Sequence, residues 1–141
     1  MTIHQISVFL ENKSGKLNEI LALLGRENIR IIAATVADTS EFGILRMIVS
    51  DVQKAHNLLK SNKVSANISE VSAITTESTA ESFASTLQMF TNAGLSIEYM
   101  YCFSVKDKLF LILRVNNREV AHEVIRRNNI EYITEKELIS L

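Results

Sequence analysis

The sequence predicts an α+β protein made of two tandem βαββαβ units, each an antiparallel sheet with its helices on one face. Three observations predict it. Apolar residues switch between a period of 2 and a period of about 3.6 in the order strand, helix, strand, strand, helix, strand, and that order occurs twice. A constant offset of 66 residues superimposes the two halves without a gap, pairing Leu21 with Leu87, Ile31 with Ile97, Leu45 with Leu111 and Ala55-His56 with Ala121-His122. The length of 141 residues is about twice what one such unit needs.

The elements follow in order. Ile6, Val8 and Leu10 alternate with Ser7 and Phe9, predicting a strand over 3–11. Leu17, Ile20, Leu21 and Leu24 stand at i, i+3, i+4 and i+7, predicting a helix to about residue 27. Ile29 to Val36 is a buried-looking strand, 39–43 a polar turn and Ile44 to Val49 a strand. Val52, Ala55, Leu58 and Leu59 form the stripe of a second helix that ends near Asn62. Residues 64–76 read as strand and run almost directly into the second unit, with no Gly/Pro/Ser-rich linker. Phe83, Leu87 and Phe90 then mark a helix. Leu95, Ile97, Tyr99, Tyr101, Phe103 and Val105 alternate without a break. Leu109 to Val115 is a strand, Ala121, Val124 and Ile125 lie on a helix, and Ile130 to Ile133 is a strand. The predicted units are 1–70 and 71–141. Apolar positions agree across the offset (17/83, 24/90, 47/113, 58/124), which points to duplication more strongly than residue identity does.

This element order is the ferredoxin-like plan. Its sheet has one face away from the helices. Tyr99, Tyr101 and Phe103 share a strand face, as do Ala33 and Thr35. Their expected place is beneath their own helices; the alternative is a seam between units or subunits.

Composition excludes several classes. The chain is 47% hydrophobic and 22% charged, with formal net charge −1, four glycines, no proline and one cysteine. That is too apolar for disorder and unsuited to a disulfide-stapled fold. No apolar run approaches the ~18 residues of a membrane span. The N-terminus carries no basic leader, so a cytoplasmic protein is expected. Near-zero charge argues against nucleic-acid binding. Although RNA-binding modules share this strand order, the third strand, Ile44 to Val49, lacks stacking aromatics and its second-unit counterpart has only Phe110.

The turn after the first strand reads Glu11-Asn12-Lys13-Ser14-Gly15-Lys16-Leu17. It resembles the ACT-domain signature: an acidic or Asn residue at the strand end, then two residues, Gly, one residue, and Leu opening the first helix. The entry Ile29-Arg30-Ile31 into the second strand resembles it too. The resemblance covers essentially the whole chain as two ACT-like repeats, with Ser14 where the family often has proline. It implies a regulatory protein that binds a free amino acid at this loop, near a unit or subunit seam. It also implies a homodimer and, as a further partner, an enzyme of amino-acid metabolism; the alternative is an interaction subunit with no ligand.

Physical chemistry gives the loop a role. A helix N-terminus presents unpaired N–H groups and partial positive charge, and so attracts carboxylates. Gly15 lets a ligand approach the amides of Gly15, Lys16 and Leu17, and Lys13 and Lys16 add positive potential. By the resemblance, a ligand carboxylate meets these amides, and Asn12 or acceptors of a neighbouring unit meet its ammonium. The alternative is that Ser14 or Asn12 simply caps the helix. Asp38, at the start of the polar turn Asp38 to Phe42, is a second candidate for the ammonium. The candidate ligand-binding residues are therefore Asn12, Lys13, Ser14, Gly15, Lys16, Leu17 and Asp38.

In the second repeat Glu81 stands where Gly15 stands. Ser78-Thr79-Ala80-Glu81 fits a capping box, with Ser78 and Glu81 satisfying the helix end. The expectation is one binding loop and one self-capped loop.

No Walker loop, GxGxxG, HExxH or GxSxG is present, and the first turn has lysines rather than an arginine cradle. The chain is thus expected to be no enzyme, and to need no cofactor and no metal. Cys102 is expected to be a structural thiol. His56 and His122, at equivalent places, are expected to share a surface role rather than a metal.

Overall fold

The computed structural model describes residues 2–11, 14–38 and 42–141. Two compact units emerge: His4–Ser69 with Leu141, and Met1–Ile3 with Glu70–Ser140.

The unit His4–Ser69 contains β1 (Thr2–Glu11, from His4 on), α1 (Lys16–Arg26), β2 (Ile31–Asp38), β3 (Phe42–Val49) and α2 (Val52–Ser61). β3 pairs antiparallel with both β1 and β2, giving the order β2-β3-β1. Period-2 alternation sends Ile6, Val8, Leu10, Leu45, Met47 and Val49 to one face, where they pack with Ile20 and Leu24 of α1 and Ala55 and Leu59 of α2. At ~0.8 kcal/mol per buried CH₂, this burial is what holds two short helices that would be marginal alone. β4 (Ala66–Glu77) follows as one strand, with the unit boundary inside it.

The second unit continues β4 with α3 (Ala80–Asn92), β5 (Ile97–Val105), β6 (Lys108–Val115), α4 (Arg118–Arg127) and α5 (Glu135–Ile139). β6 lies between β4 and β5, antiparallel to each. Ile74, Leu111, Leu113 and Val115 meet Phe90 of α3 and Ala121, Val124 and Ile125 of α4.

The duplication extends to backbone detail. Left-handed residues fall at Asn28 and Gly94 and at Lys63 and Asn129, pairs 66 apart that follow the helices as αL terminators. Asp51 and Asn117 accept from the backbone N–H of Lys54 and Val120 at 3.1 Å each. The Asn62 and Asn128 amides donate back to Leu58 and Val124 carbonyls at 2.8 and 2.9 Å.

The structure corrects four expectations. Alternation in β5 is broken: a register shift between Ile97 and Tyr99 has its counterpart between Ile31 and Ala33. One extra residue at a bulge moves every later side chain to the other face. Consequently Tyr99, Tyr101 and Phe103 pair with Arg114, Ile112 and Phe110, on the face opposite helix-packed Leu111 and Leu113. They do not lie under their own helices; Phe103 stacks on Phe110 with ring centroids 5.3 Å apart. Second, Asp38, Phe42 and Gly43 are strand residues rather than turn; Thr39, Ser40 and Glu41 lie outside the described residues. Third, the predicted strand 130–133 is reduced to one bridge, Ile74 to Tyr132, flanked by Thr75 N–H to Glu131 O (2.8 Å) and Ile133 N–H to Ala73 O (3.1 Å). Fourth, the unpredicted α5 follows, capped by Thr134 and anchored by buried Leu138.

Candidate functional site

The loop before α1 is built around Gly15. Its φ of +85° lies in the left-handed region, and a Cβ there would meet nothing within 4 Å. Glycine is therefore favoured by conformation, and the space over it is open. Gly15 is itself the N-cap, and no side chain among the described residues caps α1. Ser14 is exposed and is not the N-cap. Every other helix has a side-chain cap: Asp51, Thr79, Asn117 and Thr134. The first-turn amides of α1, which have no intrahelical acceptor, are thus left without one from a capping side chain among the described residues. Asn12 and Lys13 lie outside the described residues.

Lys16 and Leu17 are half-buried, and Lys16 Nζ stands 3.9 Å from Glu19 of its own helix. They line a cleft of about 140 Å³ together with Leu10, Glu11, Val36, Asp38 and Gly43. Three of the sequence-predicted residues, Lys16, Leu17 and Asp38, are thereby brought together, in a lining that holds one cation and two carboxylates. Asp38 pairs with Gly43 across β2 and β3, and a Cβ on Gly43 would lie 3.3 Å from Asp38 Oδ1 and 3.5 Å from Leu10 Cβ. Gly43 and Glu11 were not singled out as site residues by sequence reasoning. Glu11 was readable from its place at the strand end; Gly43 was not, because its role depends on cross-strand register.

The cleft adjoins a second one of about 250 Å³, which shares Leu10, Glu11 and Lys16. Each is smaller than the ~300 Å³ usual for an enclosed small-molecule site. A wider depression of about 750 Å³ runs along exposed polar residues of α2. Its Lys54–Glu27 pair at 4.0 Å is solvent-exposed, and it has the character of a hydrated helix surface.

The equivalent loop of the second unit is closed by its own side chains, one residue away from the expected pair. The cap is Thr79, accepting from Ser82 N–H at 3.2 Å and donating to Ser82 Oγ at 3.0 Å. Ser78 is not the cap residue, because α3 starts at Ala80.

The histidines differ from each other. His56 Nε2 lies 3.2 Å from the Ala66 carbonyl. The offset places Tyr132 opposite His122, where the strand is reduced to a bridge, and His122 Nε2 is buried with no partner among the described residues. Burial, reinforced by the Arg118 and Arg126 cations, lowers the His122 pKa from its ordinary value. Cys102 is exposed on β5, the outer strand of β4-β6-β5. No group of three or more His, Cys, Asp or Glu side chains able to hold a metal occurs among the described residues, and none of their helices is long and apolar enough to cross a membrane.

Two repeats of one βαββαβ plan, each with its helices on one sheet face, define a tandem ferredoxin-like protein. The chain belongs to the family of ACT domain pairs, whose model matches residues 1–141. A solved protein from Bacteroides thetaiotaomicron is similar over 100% of this chain and 98% of its own, at 36% identity and a TM-score of 0.95. The regulatory subunit of aspartate kinase from Thermus thermophilus, in a ligand-free form, is similar over 89% of this chain and 90% of its own (14% identity, TM-score 0.66). Its Thermus flavus counterpart is similar over 87% and 88% (17% identity, TM-score 0.63). These last two likenesses are of fold. No curated protein matches the sequence significantly.

Proposed function

We propose that this protein is a non-enzymatic cytoplasmic regulator that binds a free amino acid at the loop Asn12–Leu17 of the first repeat. The repeats themselves are taken as 1–70 and 71–141. The observation that carries the reading is the glycine-opened N-terminus of α1, with no capping side chain among the described residues, beside Lys16 and Asp38. The ligand carboxylate would accept from the first-turn amides and Lys16, where helix dipole and side-chain charge act together. Asp38 and Glu11 would face the ammonium across the cleft. Because that cleft is small and open, a second copy of the chain in a homodimer is proposed to complete it. Binding then alters subunit arrangement, or docking to an enzyme of amino-acid metabolism, to the extent that the ligand favours one state.

A thermal-shift screen of the full chain against the twenty amino acids tests this. A ligand at 100 times its Kd stabilises by about 2.7 kcal/mol, a rise of roughly 5–10 °C at this size. No shift with any amino acid at millimolar concentration favours the ligand-free interaction subunit instead.

A further inference from the structure

We infer that Gly43 is a positioning residue that seats Asp38 for the ligand ammonium, and that through this pair the protein tells α-amino acids from their deaminated analogues. This rests on the reading of the cleft beside α1 as the seat of the head group. Strand register sets Gly43 in a row with two neighbours: it pairs with Leu10 of β1 on one side and with Asp38 of β2 on the other. Directly opposed residues share a sheet face. Leu10 is packed with the helices in the core, so the row lies on the face that carries α1. All three residues line the cleft of about 140 Å³ together with Lys16.

The backbone does not ask for glycine at this place. Positive φ occurs at Gly15 and Gly94 but not at Gly43. A glycine inside a strand costs backbone entropy and gives the sheet no side chain to pack. What Gly43 supplies is space. A Cβ there would stand 3.3 Å from Asp38 Oδ1, closer than ordinary contact, and 3.5 Å from Leu10 Cβ. The Asp38 carboxylate thus leans inward over β3, leaving Gly43 buried while Asp38 itself stays exposed. A side chain at position 43 turns that carboxylate away from the cleft.

The second repeat keeps the row and changes its contents. Leu109 stands in the place of Gly43 and pairs with Thr76 and Ser104, the counterparts of Leu10 and Asp38, in the same register. Leu109 packs against the second core, as does Phe83 in the place of Leu17. The sheet therefore accepts a large side chain here. Lys16 and Asp38 both become serine, Ser82 and Ser104, whereas Glu11 keeps its charge as Glu77. One cation, one anion and the space beside the anion are lost together, as expected if the three serve one zwitterionic ligand. An ammonium donates charge-assisted hydrogen bonds to a seated carboxylate. A 2-hydroxy acid offers only a neutral donor at that place, and a 2-oxo acid sets an acceptor against the carboxylate.

Calorimetry on the full chain, with whichever of the twenty amino acids binds most tightly and its 2-oxo and 2-hydroxy analogues, tests this on Gly43→Ala, Asp38→Asn and the double variant. Both analogues should bind the wild type at least about tenfold more weakly than the amino acid. Gly43→Ala should weaken the amino acid about tenfold while its melting temperature holds or rises, since alanine suits a strand better than glycine. The double variant should bind no more weakly than Asp38→Asn alone, because the glycine acts through the acid. Wild-type affinity in Gly43→Ala, additive losses in the double variant or equal binding of the analogues overturns the assignment of Gly43 and Asp38, and leaves the carboxylate site at the loop standing. A melting temperature lowered by more than about 5 °C in Gly43→Ala makes the glycine a requirement of the fold and overturns it too. Binding of none of the twenty overturns the head-group reading with it.

Discussion

The two repeats share a backbone and differ in how they finish it. Helix caps at 51 and 117, left-handed residues at 28 and 94 and at 63 and 129, and a bulge at the start of the second strand all recur at an offset of 66. What differs is concentrated at one end of each unit. In the first, Gly15 opens a helix end and Phe42 faces a cleft. In the second, Thr79 closes the helix end and Lys108 pairs with Glu131. A duplication that keeps its core and diverges at one loop teaches that core and loop answer to different constraints: packing holds the first, and a ligand is the proposed reason for the second.

The comparison is sharpened first through the core, where effects are largest. Leu24 and Phe90 occupy equivalent buried positions, exposed 1% and 0%. Phe90→Ala should cost about 3–5 kcal/mol and Leu24→Ala about 2–5, read from urea unfolding. A loss under about 1 kcal/mol at one site only would mean the two cores are not equivalent.

Smaller effects belong to the caps. Thr79→Ala should cost about 1 kcal/mol, as should Asp51→Ala and Asn117→Ala. Ser14→Ala should change stability by less than about 0.5 kcal/mol, because Ser14 does not cap α1. Equal losses at Ser14 and Thr79 would contradict the contrast between an open and a closed loop.

The smallest expected effect is on pH dependence. His122 has its folded pKa lowered by burial and by Arg118 and Arg126, so below about pH 6.5 the unfolded chain binds its proton more readily. The associated stability is complete above that pH and is lost as pH falls through 6.5 towards the folded value. His122→Gln should flatten this part of the stability profile. A profile unchanged in His122→Gln would show that this histidine does not carry the dependence.

Much of the fold was legible because the signal was periodic. Ile6, Val8 and Leu10, or Leu17 to Leu24, report their faces by spacing alone. The bulges at Ile31/Ala33 and Ile97/Tyr99 were not legible, because a single extra residue leaves the apolar pattern intact while reversing the faces after it. That is why the tyrosines of β5 were expected under the helices and lie on the other face. At the loop, Gly15, Lys16, Leu17 and Asp38 could be named from the signature and from charge. Gly43 could not, since nothing near it in sequence says that Asp38 lies across from it. The second loop was read as self-capped, correctly in kind, but with Ser78 in place of Thr79; neighbouring hydroxyl residues offer alternative caps that only the helix start decides.

The central claim, one working loop and one closed loop, is tested most directly by calorimetry with the amino acid found in the screen, comparing Gly15→Glu with Glu81→Ala. Glu at position 15 places a carboxylate at a left-handed residue over the helix end, and binding should fall at least about 100-fold, from charge repulsion and lost access together. Glu81→Ala should bind like wild type, with one site per chain in both. Wild-type affinity in Gly15→Glu, or a second site opened by Glu81→Ala, would contradict the account.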